Sequence, residues 1–438
     1  MSGELAKAEN KISVIVVGAG PAGVAAAITV ARAGHKVLLV ERGDFSGAKN
    51  MYGGAMYSQP LKEIFPDFEE SAPIERYTVE HRYALLTDDE GTIISHKSEN
   101  EIKNSFTAIR SKFDKWAVEQ AIKEGVYYAP KTVVRSLLTD KEKIVGIKTD
   151  LENYYSDIVI LADGVNSLLA KQLGLRKNFK PNQMALGIKE VINLDKEILE
   201  NRFNVKENQG VIYELMGGPM KGMLGLGYIY TNQKSVTIGL GVALDELKEK
   251  KKKPYEMLNE LKAHPVIAPL IKDGELAEYS AHLIPEGGFN AIPTLYDDGV
   301  MIVGDAAMLV DNIHWEGTNL ALISGKFAGE TAVEAINNND FSKDMLELYQ
   351  KKLEASFIYK AMKSYKNLMP TMHSRAKSFL EYYPEKASEF FKAFTGVKSV
   401  PKKEVFRKYI YSFLRSRSLL ELVKDGVAII KLVFEALK

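Results

Sequence analysis

The stretch Gly18-Ala19-Gly20-Pro21-Ala22-Gly23 decides the fold. It follows the apolar run Ile12 to Val17 and precedes an alanine-rich helical stretch, and a second apolar run, Val37 to Val40, closes on Glu41. Strand, glycine turn, helix, strand and terminal acid is the order that a dinucleotide site needs. Gly18 permits the tight turn, Gly20 lets the backbone approach a pyrophosphate, and Gly23 lets the helix lie close on the strand. The start of that helix offers free N–H groups and a partial positive charge to phosphates. The Glu41 carboxylate is expected to hold two ribose hydroxyls. The competing reading is a glycine-rich turn in an ordinary α/β core.

Two later segments repeat the logic. Ile158 to Ala162 runs into Asp163-Gly164-Val165-Asn166-Ser167, and Val300 to Val303 runs into Gly304-Asp305-Ala306-Ala307. Each is a short apolar strand ending in an acid paired with a glycine. That places a carboxylate and a close-approach backbone at the carboxyl end of a parallel sheet, where open α/β sheets bind ligands.

Composition fits a globular enzyme. The chain has 438 residues, so two or three domains are expected. Apolar residues make up 46% and charged residues 26%, enough to build a large core. The net charge of +1 gives no global field favouring nucleic acid. There are no cysteines, which excludes disulfides, thiolate catalysis and cysteine-ligated zinc or iron–sulfur sites within these residues. The seven histidines (35, 81, 96, 264, 282, 314 and 373) show no metal-ligand spacing, so no metal site is expected. Met1 to Asn10 is mixed and polar, unlike a secretory signal, and no run approaches the roughly twenty apolar residues of a spanning helix.

With its three motifs in order across residues 12 to 320, the chain resembles a group of FAD-dependent enzymes. The group includes aromatic hydroxylases, geranylgeranyl reductases and the FixC-type electron-transfer-flavoprotein:quinone oxidoreductases. Four stretches carry a closer resemblance to the FixC-type branch: Gly47 to Gly54, Arg110 to Trp116, Ile284 to Asn290, and Gly304 to Asn319. The last, GDAAMLVDNIHWEGTN, is long and unusual.

The resemblance implies an α/β fold: a Rossmann-like FAD-binding domain of the glutathione-reductase type, an inserted antiparallel β-sheet substrate domain roofing the flavin, and a helical C-terminal region. Expected boundaries are 1–75, 105–180 and 280–340 for the discontinuous FAD domain. Residues 76–104 with 181–279 form the quinone domain, and 341–438 the helical region. By resemblance the cofactor is held by Gly18, Gly20, Ala22, Gly23, Glu41, Arg42, Gly53, Gly54, Arg110, Val134, Asp163, Gly164, Gly304, Asp305, Gly317, Thr318 and Asn319. Arg110 would line the flavin pocket, its fixed cation offsetting flavin negative charge; the alternative is a surface arginine paired with Asp114. Asp163 would face the cofactor, cap the helix near Asn166, or do both. The helix opening at Gly317, Thr318 and Asn319 would place N–H groups near an anionic reduced flavin.

Gly225, Gly227 and Tyr228 resemble the family's quinone-facing strand. Its glycine N–H groups would reach a quinone carbonyl, or else the glycines simply admit a close neighbour. Met216, Met220 and Met223 read first as core filler. His314 is a candidate proton relay, or a residue that only packs or caps.

The implied function is electron transfer from a two-subunit electron-transferring flavoprotein, through a separate ferredoxin-like iron–sulfur protein, to menaquinone or ubiquinone. Absence of cysteine bears on this, because longer quinone oxidoreductases of the mitochondrial type carry their own four-iron cluster. Competing readings are a polyprenyl (geranylgeranyl) reductase, an aromatic-type monooxygenase, and a flavin-stabilised docking subunit without turnover. The expected location is cytoplasmic, peripheral on the inner face of the cell membrane. From Lys398 to Lys438 ten basic residues stand against four acids, among many apolar ones. Such helices suit an anionic membrane surface, or alternatively form a cap or a docking face for an acidic partner.

Overall fold

The computed structural model describes residues 12–48, 54–98, 103–314, 316–397 and 399–436. In chain order, β1 (Ile12–Val17), α1 (Pro21–Arg32), β2 (Val37–Val40) and β3 (Ala55–Tyr57) come first. A hairpin of β4 (Arg76–Leu86) and β5 (Gly91–Lys97) follows, then β6 (Ser105–Thr107), α2 (Arg110–Lys123), β7 (Tyr127–Ala129), β8 (Val134–Asp140), β9 (Lys143–Thr149) and β10 (Asn153–Leu161). Next are β11 (Met184–Asn193), β12 (Gln209–Gly217), β13 (Gly225–Thr231), β14 (Ser235–Ala243), α3 (Pro254–Ala263) and β15 (Glu275–Pro285). After β16 (Tyr296–Asp297) and β17 (Val300–Ile302) the chain is mainly helical: α4 (Thr318–Asn338), α5 (Lys343–Ala355), α6 (Leu368–Ser374), α7 (Tyr383–Thr395), α8 (Lys402–Arg415) and α9 (Leu419–Ala436).

The chain divides into two compact units. The first comprises 1–77, 103–184 and 282–363; the second comprises 78–102, 185–281 and 364–438. The helices after Phe341 are therefore shared out, α5 to the first unit and α6 to α9 to the second.

In the first unit the sheet order is β16-β17-β10-β1-β2-β7, and β17, β10, β1, β2 and β7 run parallel. Strands β1 and β2 are nearly continuous apolar runs because helices cover a parallel sheet on its faces; Val14, Ile15, Val16 and Leu39 are completely buried. β8 and β9 form an antiparallel flap that joins the edge of β10. Gly18 has φ +105°, and a Cβ there would lie 2.2 Å from the Ala162 carbonyl oxygen, so the turn accepts only glycine. Helix α4 presses on α1: a Cβ on Gly325 would sit 2.0 Å from the Ala22 carbonyl oxygen. That contact pins the start of α1 from behind.

The second unit is built on an antiparallel sheet of order β15-β11-β14-β13-β12-β4, with β5 paired on β4. One face packs Leu215, Ile229 and Leu240 against Met220 and against Leu258 and Leu261 of α3. Three prolines of the C-terminal helical region take different places. Pro401 does precede α8, but Pro370 lies inside α6. Pro384 sits at the second position of α7, directly after a π-helical turn at Ser378–Tyr382. The wider turn and a first-turn position, where a proline N–H is not needed, let the helix run on.

Candidate active site

The carboxyl ends of β1, β2, β10 and β17 converge in the first unit. Glu41, just past β2, accepts the Ala19 N–H at 3.0 Å and the Gly43 N–H at 2.6 Å. These bonds hold its carboxylate beside the glycine turn. Ser46 donates to the Ala19 carbonyl at 2.5 Å and steadies the same turn. Helix α1 begins at Pro21 after Gly20 with no side chain capping it, so its first-turn N–H groups stay open to an anion. Arg42 is exposed, and Tyr128 on β7 has a buried hydroxyl without a partner among the described residues. Burial, with the Glu41 charge nearby, pushes that phenol up to about 12.

At the end of β10, Asp163 accepts the Leu169 N–H at a long 3.4 Å, so it partly caps the short helix that starts at Leu168. Its other oxygen, Oδ1, and the Ser167 hydroxyl are buried without partners among the described residues. Burial pushes the Asp163 carboxyl up to about 6. Gly164 has φ +76°, and a Cβ there would meet nothing within 4 Å. Arg176 straps this turn to the next one, donating to the Val165 carbonyl at 2.8 Å and the Ala306 carbonyl at 3.1 Å. Sequence reasoning missed Arg176; nothing in its neighbourhood announces that its partners are backbone carbonyls.

After β17, the Gly304 N–H donates to Ser324 of α4 at 3.1 Å. Burial raises the Asp305 carboxyl, and Arg110, His282 and Arg176 oppose that rise. Arg110 begins α2 and makes a bidentate pair with Asp114 at 2.9 and 3.0 Å, as one reading expected. It is nevertheless buried, with 5% of its surface exposed, and its guanidinium also reaches the Thr318 hydroxyl at 3.4 Å. Gly54 accepts the Ala108 N–H through its carbonyl at 2.7 Å, and Val134 opens β8 opposite Thr149. Gly53 lies outside the described residues.

Residues 311–314 and 316–317 lead up to the start of α4. Asp311 and Glu316 exchange backbone hydrogen bonds at 2.9 and 3.0 Å. The Asp311 carboxylate accepts the N–H groups of Ile313 and His314 and bonds His314 Nδ1 at 2.9 Å. Asn319 donates to Glu316 at 2.5 Å while its own Oδ1 is buried without a partner among the described residues. Gly317 precedes α4 and supplies no side-chain cap, so this helix start is also open.

In the second unit Gly225, Gly227 and Tyr228 lie on the central strand β13. Gly227 sits between Leu215 of β12 and Leu240 of β14, which directs its N–H along the sheet toward a neighbouring strand. A Cβ on it would be 3.2 Å from Leu215, Leu261 and Met220. The space that a glycine opens there is filled by core side chains. Gly225 lies equally close to Gly241 and Val242. The Tyr228 ring is 2% exposed, covers Gly239 and stacks on Tyr230 at 4.6 Å. Met220 and Met223 are buried in the same core.

The donors of the first unit suit FAD. The uncapped start of α1 and its glycine turn suit a pyrophosphate, Glu41 beside them suits a ribose, and a Cβ on Gly164, next to the buried Asp163 carboxyl, would meet nothing within 4 Å. Among the described residues no cluster of three or more His, Cys, Asp or Glu could hold a metal, and no helix is long and apolar enough to cross a membrane.

Comparison with known proteins agrees. The FAD dependent oxidoreductase family matches residues 13–168. A geranylgeranyl bacteriochlorophyll reductase-like structure from Thermoplasma acidophilum superposes with a TM-score of 0.68 at 21% identity, covering 92% of this chain and 96% of that one. Fold and cradle thus define an FAD-dependent oxidoreductase. The ubiquinone-binding family of ETF-QO matches residues 184–284, and the C-terminal domain family of ETF-QO/FixC matches 368–433. Protein FixC of Azorhizobium caulinodans is 41% identical over 95% of this chain and 98% of its own length. The probable electron transfer flavoprotein-quinone oxidoreductase YdiS of Escherichia coli K12 is 37% identical over 96% and 98%. This chain belongs to the FixC family of electron-transfer-flavoprotein:quinone oxidoreductases.

Proposed function

We propose that this chain carries electrons from an electron-transferring flavoprotein to a membrane quinone, menaquinone or ubiquinone, and receives them through a separate ferredoxin-like iron–sulfur protein. Family membership supports the two ends of the route. The observation that carries the middle is the complete absence of cysteine: a four-iron cluster needs thiolate ligands, and these residues supply none. FAD supplies the ability to accept electrons singly and hand on two.

The residues of this chain do the binding and orienting. Glu41 takes the ribose, with Arg42 beside it. Gly18, Gly20, Ala22 and Gly23 admit the pyrophosphate to the start of α1, and Gly304 and Asp305 flank its other side. Asp163 and Gly164 face the ribityl region, with Gly53, Gly54 and Val134 completing the walls. Arg110, fixed by Asp114 and next to Thr318, offers a buried cation to negative charge that develops on reduction. The start of α4 at Gly317, Thr318 and Asn319 adds N–H groups to the same end. The quinone belongs to the second unit, in the segment that includes Tyr228. Its glycine-rich strand, Gly225 to Gly227, shapes that region by close packing.

Approach to a lipid-soluble substrate falls to the C-terminal helices. Asp425 of α9 is fully buried and clamped by Arg375 at 2.8 Å, Arg417 at 3.2 Å and the Tyr383 hydroxyl at 3.1 Å. That clamp fixes one side of α9 inward and leaves Leu419, Leu420, Val423, Ile430 and Phe434 exposed, with Ile410, Tyr411 and Leu414 of α8. Apolar side chains among an excess of cations fit the inner face of an anionic membrane.

The test is stopped-flow reduction of the FAD-loaded protein. NADPH alone should bleach the flavin slowly, and reduced electron-transferring flavoprotein plus a ferredoxin-like partner should bleach it fast. Rapid bleaching by NADPH would favour a polyprenyl reductase or a monooxygenase instead.

A further inference from the structure

The segment Ile284 to Asn290 carries a family motif that the cofactor cradle does not use. Glu286 donates its N–H to the Gln183 carbonyl at 2.8 Å, and its carbonyl accepts Asn312 Nδ2 at 3.2 Å. Gly287 allows the loop to press down: a Cβ there would stand 2.3 Å from Ala291 Cβ and 2.9 Å from Met308 Cε. The Glu286 backbone is thereby held against Asn312, next in the chain to Asp311. Glu286 Oε2 is enclosed and has no hydrogen-bond partner among the described residues. The Asp311 charge strengthens this carboxyl's hold on its proton, and the Asn312 side chain weakens it. Asp311, itself 6% exposed, bonds His314 at 2.9 Å, and the His314 side chain is 50% exposed. Glu316 faces Asp311 from the other strand of the loop.

We propose that His314, Asp311 and Glu286 form a proton inlet for the redox centre, with His314 exchanging protons with water and Glu286 as its inner end. This rests on the electron-transfer reading. An iron–sulfur donor delivers electrons without protons, whereas a quinone becomes a quinol only on taking up two electrons and two protons. Those protons have to come from water through the protein. A hydride donor brings one of the two protons with its electron pair and leaves only the other to be taken from water. Burial, reinforced by the Asp311 charge and opposed by Asn312, pushes the Glu286 carboxyl up to about 8, so it carries a transferable proton at neutral pH. His314 is placed to reload the pair from outside, because its ring reaches both solvent and the Asp311 carboxylate.

The experiment uses FAD-loaded protein, reduced photochemically, with a water-soluble short-chain quinone as acceptor. In the reduced-minus-oxidised infrared difference spectrum, a protonated-carboxyl band should appear in the wild type and vanish in Glu286→Gln. The rate of quinol formation should fall above about pH 8 in the wild type. In Glu286→Gln it should be lower at pH 7 by about 10²-fold and lose that dependence. Asp311→Asn should slow the rate similarly with FAD content unchanged, and added imidazole should restore His314→Ala. Wild-type rates and pH profiles in all three variants, with the infrared band intact in Glu286→Gln, would overturn the inlet. A wild type that forms no quinol would sink the electron-transfer reading, and the infrared band would still decide whether Glu286 exchanges a proton on reduction.

Discussion

Replacing Glu286 by Gln should make the protein more stable at alkaline pH, whatever its effect on turnover. The Glu286 carboxyl is enclosed, has an unpartnered oxygen among the described residues and faces the Asp311 charge. Its folded-state value of about 8 stands well above the ordinary 4.5. A carboxyl raised on folding binds more protons in the native state, so its contribution to stability is complete below 4.5 and is lost as pH rises through 8. The gap between the two values corresponds to roughly 5 kcal/mol if nothing relaxes. Water entry and side-chain movement reduce such penalties, so an observed difference of about 2–4 kcal/mol is expected. Glutamine keeps the shape and removes the titration. The assay is urea unfolding of both proteins between pH 5 and 9 in constant excess FAD. The stability advantage of Glu286→Gln should grow with pH and level off above 8. Parallel curves, or an advantage that shrinks as pH rises, would refute the placement of this carboxyl.

Other perturbations reach other parts of the account. Glu41→Ala should weaken FAD binding by about 1.5–3 kcal/mol for each ribose hydrogen bond lost, read by equilibrium titration of the flavin chromophore. Gly18→Ala, which sets a Cβ 2.2 Å from the Ala162 carbonyl, should yield protein that retains no flavin after gel filtration. Gly164→Ala meets no neighbouring atom and should fold, at a cost of about 1–2 kcal/mol for its left-handed backbone, yet lose affinity for FAD. Replacing the exposed Leu420 and Val427 by Ser should reduce flotation with anionic liposomes without lowering thermal stability, and high salt should weaken the wild-type interaction.

The first unit was legible because its cues are local. An apolar run, a glycine turn and a terminal acid lie within thirty residues, and hydrophobic period and turn chemistry report such neighbours directly. What was missed depends on residues far apart in the chain. Arg176 binds carbonyls eleven and 130 residues away, and Asp425 is clamped by Arg375 from fifty positions earlier. No spacing rule encodes either. The Glu286 cluster joins a loop and a bridge that the sequence presents as separate motifs. Gly227 shows the converse: the sequence marks a close approach, but only the sheet order tells that Leu215, Leu261 and Met220 make it. The π turn directly before Pro384 lets the helix run past that proline, and a 3.6-residue period does not announce such a turn.

Quinol formation by the purified, FAD-loaded chain tests the central claim most directly. Reduced electron-transferring flavoprotein, a ferredoxin-like iron–sulfur protein and a quinone in anionic liposomes are combined, and quinol is followed by its absorbance. The account predicts steady quinol formation that needs all three components and stops when the iron–sulfur protein is left out. Quinol formed equally well without that protein would contradict the proposed route, and no quinol from the complete mixture would contradict the function itself.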